Sequence, residues 1–529
     1  MRRFYPKQLV TFLAAAFSAA PLLASAAPFT PGNIVVARVG TGATALSAAA
    51  AAVFLDEYTP SGTLVQSVAL PTATGVNNRI LTATGNATTE LSLTRSADGH
   101  YLVLAGYGAA PGTPAIASTA ATNVTRVIGL IGADGSVDTS TSTGSAFDGA
   151  SIRAAATADG TSFYSVGSAG GVQYQAFGSY ATTPLTTAVT DLRSINVVGG
   201  NLYVSANTDP YVGLSQVATG LPTTPDQAVT ALPGFPGATV GASPGSFYLA
   251  DLSATVPGVD VAYVADDRAT GGGIQKWSLV SGSWVLNGTI ASTTSAVVRG
   301  MSGRATGTSV ALAATSNTGL FFLTDNTGYN TAPTQLALPT ALATAGSNRA
   351  FRGIAFAPVA AAPTIASFTP VSGGVGTTVT ITGTNLTGAT DVRVGALSVT
   401  DYTVVSATAI TFVVPTLIGS LNGPITVVTP GGTATSTTNF SLVLATLASQ
   451  ALPELRVYPN PATDYVQLDL PQASALTVSL RDLLGRQVLA PVLLQAHQPL
   501  RLPASLAAGV YLLEIEQGTT KAVRRIEKK

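Results

Sequence analysis

The 529-residue chain has no cysteine. That absence excludes disulfides, thiolate metal sites, a cysteine nucleophile and a lipid-modified N-terminal cysteine. Charge is scarce: Asp, Glu, Lys and Arg make up 9% of residues, 25 basic against 25 acidic. So balanced a chain carries no electrostatic footprint for nucleic acid. Histidine occurs only at positions 100 and 497. His497 stands close to the end, so a Ser-His-Asp triad in the body of the protein would have to use His100. There is no histidine pair and no Asp/Asn run with EF-hand spacing, and neither a metal site nor a cofactor is expected. Beyond the first 26 residues no apolar run approaches the ~18–20 residues that span a bilayer. No transmembrane segment is therefore expected in the mature chain.

What the chain has in quantity is 54 Gly and 31 Pro, with many Thr and Val. Gly and Pro disfavour long helices, and β-branched side chains pack well on pleated surfaces, so the fold class is all-β. The length exceeds one compact core and suggests roughly two to four domains. The opening stretch, "MRRFYPKQLVTFLAAAFSAAPLLASAAPFT", reads as a secretory signal peptide over 1–26. Arg2, Arg3 and Lys7 form its basic head, Leu9 to Leu23 its apolar middle, and Ala24-Ser25-Ala26 the small-residue cleavage pattern.

Pro/Ala punctuation at "APVAAAPT" (357–364) and "ATLASQALPE" (445–454) divides the remainder into 28–358, 363–442, a linker at 443–455, and 456–529. The long first region repeats loosely. A lead strand, often opened by arginine, runs into a Gly-containing turn and a more apolar strand. Examples are "LTRSADGHYLVLAGYG", "IRAAATADGTSFYSVGS", "LRSINVVGGNLYVSAN" and "VRGMSGRATGTSVALAAT". The intervals between Arg153, Arg193, Arg299 and Arg352 are 40, 106 and 53 residues, as if "SPGSFYLADL" (243–252) were a unit with a degenerate lead. Such a period resembles that of the β-propeller superfamily. "FRGIAFAP" (351–358) looks like a first strand with nothing after it, and "NIVVARVG" begins the chain like a later strand without a leader. Joining the two would close a ring of six or seven blades and remove its sheet edges.

Residues 363–442 resemble the IPT/TIG immunoglobulin-like domain. The resemblance rests on Pro363, Ile365, Pro370, Gly374, Gly376, Val379, Ile381, Gly383 and Leu386, then on "VRVG", "ITFVVP" and "GPITVVTPGGTATS". Val379 and Ile381 alternate with Thr, which independently places one face in a core. The resemblance implies a spacer or interaction module.

Residues 451–529 hold 16 of the 50 charged residues, so ordinary charge density returns only here. The stretch 456–529 resembles the type A C-terminal sorting domain of the type IX secretion system of Bacteroidetes-type bacteria. It carries "YPNP" (Tyr458, Pro459, Asn460, Pro461), "VQLDL", "VSLRDLLGRQV" with Gly485, "AAGVYLLEI" with Gly509 and Tyr511, and a basic ending that includes Arg524, Arg525, Lys528 and Lys529. Val466/Leu468/Leu470, Leu476/Val478/Leu480 and Tyr511/Leu513/Ile515 each alternate as half-buried strands, giving a second small sandwich. The resemblance implies passage to the periplasm, recognition of the tail by the type IX machinery, and a protein released or held at the outer-membrane surface.

No catalytic residue is assigned. "GASPG" (241–245) has nucleophile-elbow spacing around Ser243, but that motif needs a strand-to-helix turn, and Pro244 onward reads as a strand. The densest polar cluster is "DVAYVADDRATGGGIQKW" (260–277). Asp266, Asp267, Arg268, Lys276 and Trp277 are candidates to line a surface for a glycan or acidic ligand, against the plainer reading of a solvated hairpin with Trp277 packed in a blade. The leading expectation is a secreted ligand-binding or adhesion propeller. Its alternatives are a secreted propeller enzyme (a glycan- or phosphoester-active hydrolase or lyase) and a structural matrix protein. Convergent carboxylates or an Arg/Tyr/His cluster at one mouth of the ring would favour the enzyme.

Overall fold

The computed structural model describes residues 26–235, 242–416, 421–443, 452, 454–471, 475–495, 497–518 and 520–529. The expected signal peptide, apart from Ala26, and most of the expected linker lie outside the described residues. The chain forms two compact units, Met1–Ala361 and Ala362–Lys529.

In the first unit, four separate antiparallel sheets of four strands follow one another along the chain. They open with the strands Ile152–Ala156, Leu192–Val198, Pro244–Ala250 and Gly300–Thr306. A nine-stranded sheet supplies two more blades. One of them opens with Thr94–Arg95, and the other begins with the last strand of the unit, Ala350–Phe356; counting the latter as the first blade and the former as the second, the four separate sheets are the third to sixth. That strand pairs antiparallel with Ile34–Val39, with Ile34 opposite Phe356 and Val39 opposite Ala350. The ring therefore closes as the split ends of the sequence predict, with six blades. The opening strands of neighbouring blades lie against one another all the way round and form the inner wall. Pro244–Ala250 takes its place among them, so the unit without a leading arginine is a full blade.

The same arithmetic organises the interior. Each blade is covered on both faces, so alternate residues of one strand enter different cores. Val261, Tyr263 and Ala265 pack with Met301, Val310 and Leu312 of the next blade. Between them, Ala262 and Val264 pack with Tyr203 and Leu214 of the previous one. Apolar strands without alternation, such as IVVARV at Ile34–Val39, follow from this double burial. Small residues are needed where inner strands nearly touch. A Cβ on Gly353 would lie 2.1 Å from the Leu93 nitrogen and 2.3 Å from the Leu91 oxygen, both backbone atoms of the next blade.

In the second unit, residues 364–442 form a four-stranded and a five-stranded sheet around Val379, Ile381, Val392, Ile410, Phe412, Ile425 and Phe440. Thr378–Thr384 alternates as predicted, with Val379 and Ile381 inside. Residues 456–528 form a three-stranded and a four-stranded sheet, and among the described residues the core between them is drawn from this segment and the residues just before it. Val466, Leu468, Leu470, Leu476, Val478, Leu480, Tyr511, Leu513 and Ile515 are all in it.

Candidate functional site

The arginines that mark the repeat sit where the inner strands begin, and three of them line one cavity at the hub. Arg193, Arg299 and Arg352 face it from three blades, together with Glu90, Asp267, Ser92 and Ser246. The hub is narrow, since the Ser92 and Ser194 hydroxyls, two blades apart, are within 3.3 Å. The space open to water-sized groups is about 30 Å³. Roughly 10–15 Å³ is needed per water, so a single small group fits there and a sugar ring does not.

The charges are only partly matched. Asp267 lies 3.3 Å from an Arg193 terminal nitrogen and 3.5 Å from the Arg299 Nε. Arg193 also donates to the Ser243 hydroxyl at 3.1 Å. Arg352 is 5% exposed and spends its terminal nitrogens on the Gly85 and Phe351 carbonyls and the Asn317 amide oxygen. It has no ion pair within salt-bridge distance among the described residues. Burial lowers its guanidinium to about 10, with the Glu90 charge opposing and the Arg299 charge adding. Among the described residues the Nε atoms of Arg193 and Arg352 are buried without a protein acceptor, as is that of Arg153, which pairs with Asp191 through a terminal nitrogen; the Arg299 Nε has only the long Asp267 contact. Glu90 is 5% exposed. Its carboxylate accepts from the Tyr107 hydroxyl at 2.7 Å and from the Thr84 amide and hydroxyl at 3.1 Å each. Burial pushes this carboxyl above the ordinary range, and these hydrogen bonds and Arg352 only oppose it.

The five residues expected to share a ligand surface are separated. Lys276 is wholly buried between blades, 2.7 Å from Asp325 and 2.6 Å from the Thr327 hydroxyl. Trp277 is 5% exposed, stacks on Phe235 at 4.6 Å and donates to Gln275. Both follow from double burial, which leaves no free face on the third strand of a blade. Asp266 is buried and ion-paired with the half-buried Arg268. Only Asp267 reaches the hub cavity. The hub arginines stand in the sequence as markers of period; their recurrence in several lead strands is the signal that could have placed them at the hub.

Among the described residues no triad forms around Ser243 of "GASPG". Ser243 faces Arg193, a strand follows it, and His100 Nδ1 lies against the Val359 carbonyl at 2.9 Å. A larger cavity of about 360 Å³ runs between the fourth and fifth blades beside Tyr203, Trp284, Asn201 and Gln216. Both aromatics are nearly fully buried, and the Gln216 amide is engaged by Asn201 and the Ala218 carbonyl.

In the tail, the first and last motifs meet. Asn460 donates to the Arg525 carbonyl at 2.9 Å and accepts from the Glu527 amide at 2.8 Å. Lys528 Nζ donates to the Thr463 carbonyl, and the Lys529 amide to that of Ala462, both at 2.8 Å. Arg524 donates to the Leu452 carbonyl at 2.7 Å. Tyr458, Pro459 and Pro461 are exposed beside this seam, Gly485 sits in a turn at φ +81°, and Tyr511, in the strand opened by Gly509, buries its ring and donates to the Ala507 carbonyl.

The fold defines a class of molecule: a six-bladed propeller with a cationic hub, followed by two small β-sandwiches. Residues 456–529 match the Secretion system C-terminal sorting domain, and residues 363–442 match the IPT/TIG domain. The sorting domain marks the chain for secretion or the cell surface and implies engagement with the type IX secretion machinery. No helix among the described residues is long and apolar enough to cross a membrane. No curated protein matches the chain. Similar solved structures include the extracellular domain of a one-component system from B. thetaiotaomicron, at 11% identity over 96% of this chain and 59% of that one, with a TM-score of 0.31. Another is the β-propeller domain of Cps50 (Swd1) from Myceliophteria thermophila, at 11% identity over 56% and 95%, with a TM-score of 0.30. A third is SGBP-B of the Bacteroides ovatus mixed-linkage glucan utilization locus, in complex with a heptasaccharide, at 15% identity over 42% and 52%, with a TM-score of 0.14. This chain spans less than two thirds of the length of the first and third of these.

Proposed function

We propose that this protein enters the periplasm by an N-terminal signal peptide, crosses the outer membrane through the type IX system, and works at the cell surface or beyond as a ligand-binding propeller. The observation that carries the binding role is the convergence of Arg193, Arg299 and Arg352 on one hub cavity. A guanidinium donor left buried and unpaired, as on Arg193 and Arg352, is costly to hold unless it serves a partner. The sorting match and the self-contained core of residues 456–529 support the route. Deleting 456–529 in the native host is expected to leave a folded protein in the periplasm; undiminished surface display of that truncation overturns the route.

A propeller enzyme is the second reading, favoured by the arginine and carboxylate groups gathered at the hub. Turnover of sugar phosphate or sulfate monoesters by the purified protein tests it.

A further inference from the structure

The hub also indicates what kind of ligand it takes, on the reading that the propeller binds one there. We propose that the cavity bounded by Arg193, Arg299 and Arg352 binds a single tetrahedral oxyanion, sulfate or phosphate, either free or as the head group of a monoester. Three features carry this. The first is charge: three guanidinium groups face two carboxylates, and one of these, Asp267, is shared between Arg193 and Arg299. Arg352, almost fully buried, has no carboxylate partner within salt-bridge distance among the described residues. The second is spare donors: among the described residues the Nε of Arg193 and of Arg352 is buried without a protein acceptor, and that of Arg299 has only Asp267, at 3.5 Å. Buried polar groups are nearly always satisfied, so two unpaired donors and a weakly paired third at one cavity call for a common acceptor.

The third is shape. A carboxylate is satisfied by the fork of one arginine, whereas a tetrahedral anion offers a separate oxygen to each of several cations. Here the cations come from the fourth, sixth and first blades, and the Ser92 and Ser246 side chains add hydroxyls to the wall. The open space of about 30 Å³ admits the anionic head and keeps any attached sugar outside.

The test measures thermal shift and titration calorimetry on the full chain at fixed ionic strength, with sodium sulfate, sodium phosphate, sodium acetate, galacturonate, glucose 6-sulfate and glucose 6-phosphate against sodium chloride. Saturable binding of sulfate or phosphate is expected. Arg299→Gln, whose side chain is partly exposed and tolerates change, should weaken it by about tenfold or more, the loss of one charge-assisted hydrogen bond. Arg193→Gln should do the same if Arg299→Gln proves unstable, and the surface variant Arg79→Gln should leave binding intact. Binding of the inorganic ions alone identifies a free ion as the ligand, and binding of the monoesters as well identifies an esterified one. Equal or tighter binding of acetate or galacturonate, lost in Arg299→Gln, overturns the tetrahedral assignment while leaving a ligand site at the hub. A shift no larger than that with chloride for every anion overturns the oxyanion site.

Discussion

Lys276 Nζ lies 2.7 Å from the Asp325 carboxylate, and both side chains are buried where the fifth and sixth blades meet. The Tyr263 hydroxyl donates to the same carboxylate at 2.7 Å, and the Thr327 amide and hydroxyl complete its shell. A buried pair of this kind holds its geometry only while every member is satisfied. Lys276→Met strands the Asp325 charge and is expected to cost about 3–5 kcal/mol. Lys276→Met/Asp325→Asn removes both charges, keeps an acceptor for Tyr263, and should recover part of the loss. Chemical denaturation of the three proteins measures the difference.

Acidity should act through Glu90. Its carboxyl is raised above 4.5 in the folded protein by burial. The folded state therefore holds that proton more tightly than the unfolded chain, and the resulting stabilisation is full below pH 4.5 and fades as pH rises through the folded value. Glu90→Gln stays neutral throughout. The difference in melting temperature between wild type and variant should move in the variant's favour as the buffer goes from pH 4.5 to neutrality. A pH-independent difference would rule this out.

Ring closure depends on close backbone approach. Gly353→Ala places a methyl against the backbone of Leu91 and Leu93, and backbone cannot move aside as a side chain can. A loss of about 1–3 kcal/mol or more is expected. Gly75→Ala, whose new Cβ meets nothing nearer than 3.8 Å, should change stability by less than about 0.5 kcal/mol. Thermal melts of the pair make the comparison.

The tail offers a sharper readout. Asn460→Ala removes the two side-chain hydrogen bonds from the "YPNP" turn to the last strand and leaves the backbone bonds at Ala462 in place. The site is exposed, so about 1 kcal/mol is expected, local to the tail. Hydrogen exchange at Glu527 should accelerate while the strand at Tyr511–Ile515 stays protected, and equal rates at Glu527 in the two proteins would refute the clamp.

Composition and spacing alone determined much of this protein. Abundant Thr and Val with frequent Gly and Pro give strands in spite of plentiful alanine, the period-two runs in 456–529 give its two-sheet core, and the unmatched strands at Ile34–Val39 and Ala350–Phe356 announce their own pairing. These signals are local, and a strand's alternation is written in its own residues. The ligand surface was not legible in the same way. Lys276 and Trp277 carry groups that suit binding, but whether a third strand shows a face to solvent depends on the neighbouring blade, which lies some 50 residues away in sequence at Asp325 and Thr327. Likewise the recurrence of arginine in several lead strands gave the period, while only closure of the six-bladed ring brought three of them, Arg193, Arg299 and Arg352, onto one cavity. Convergence is a property of the ring, and no single repeat contains it.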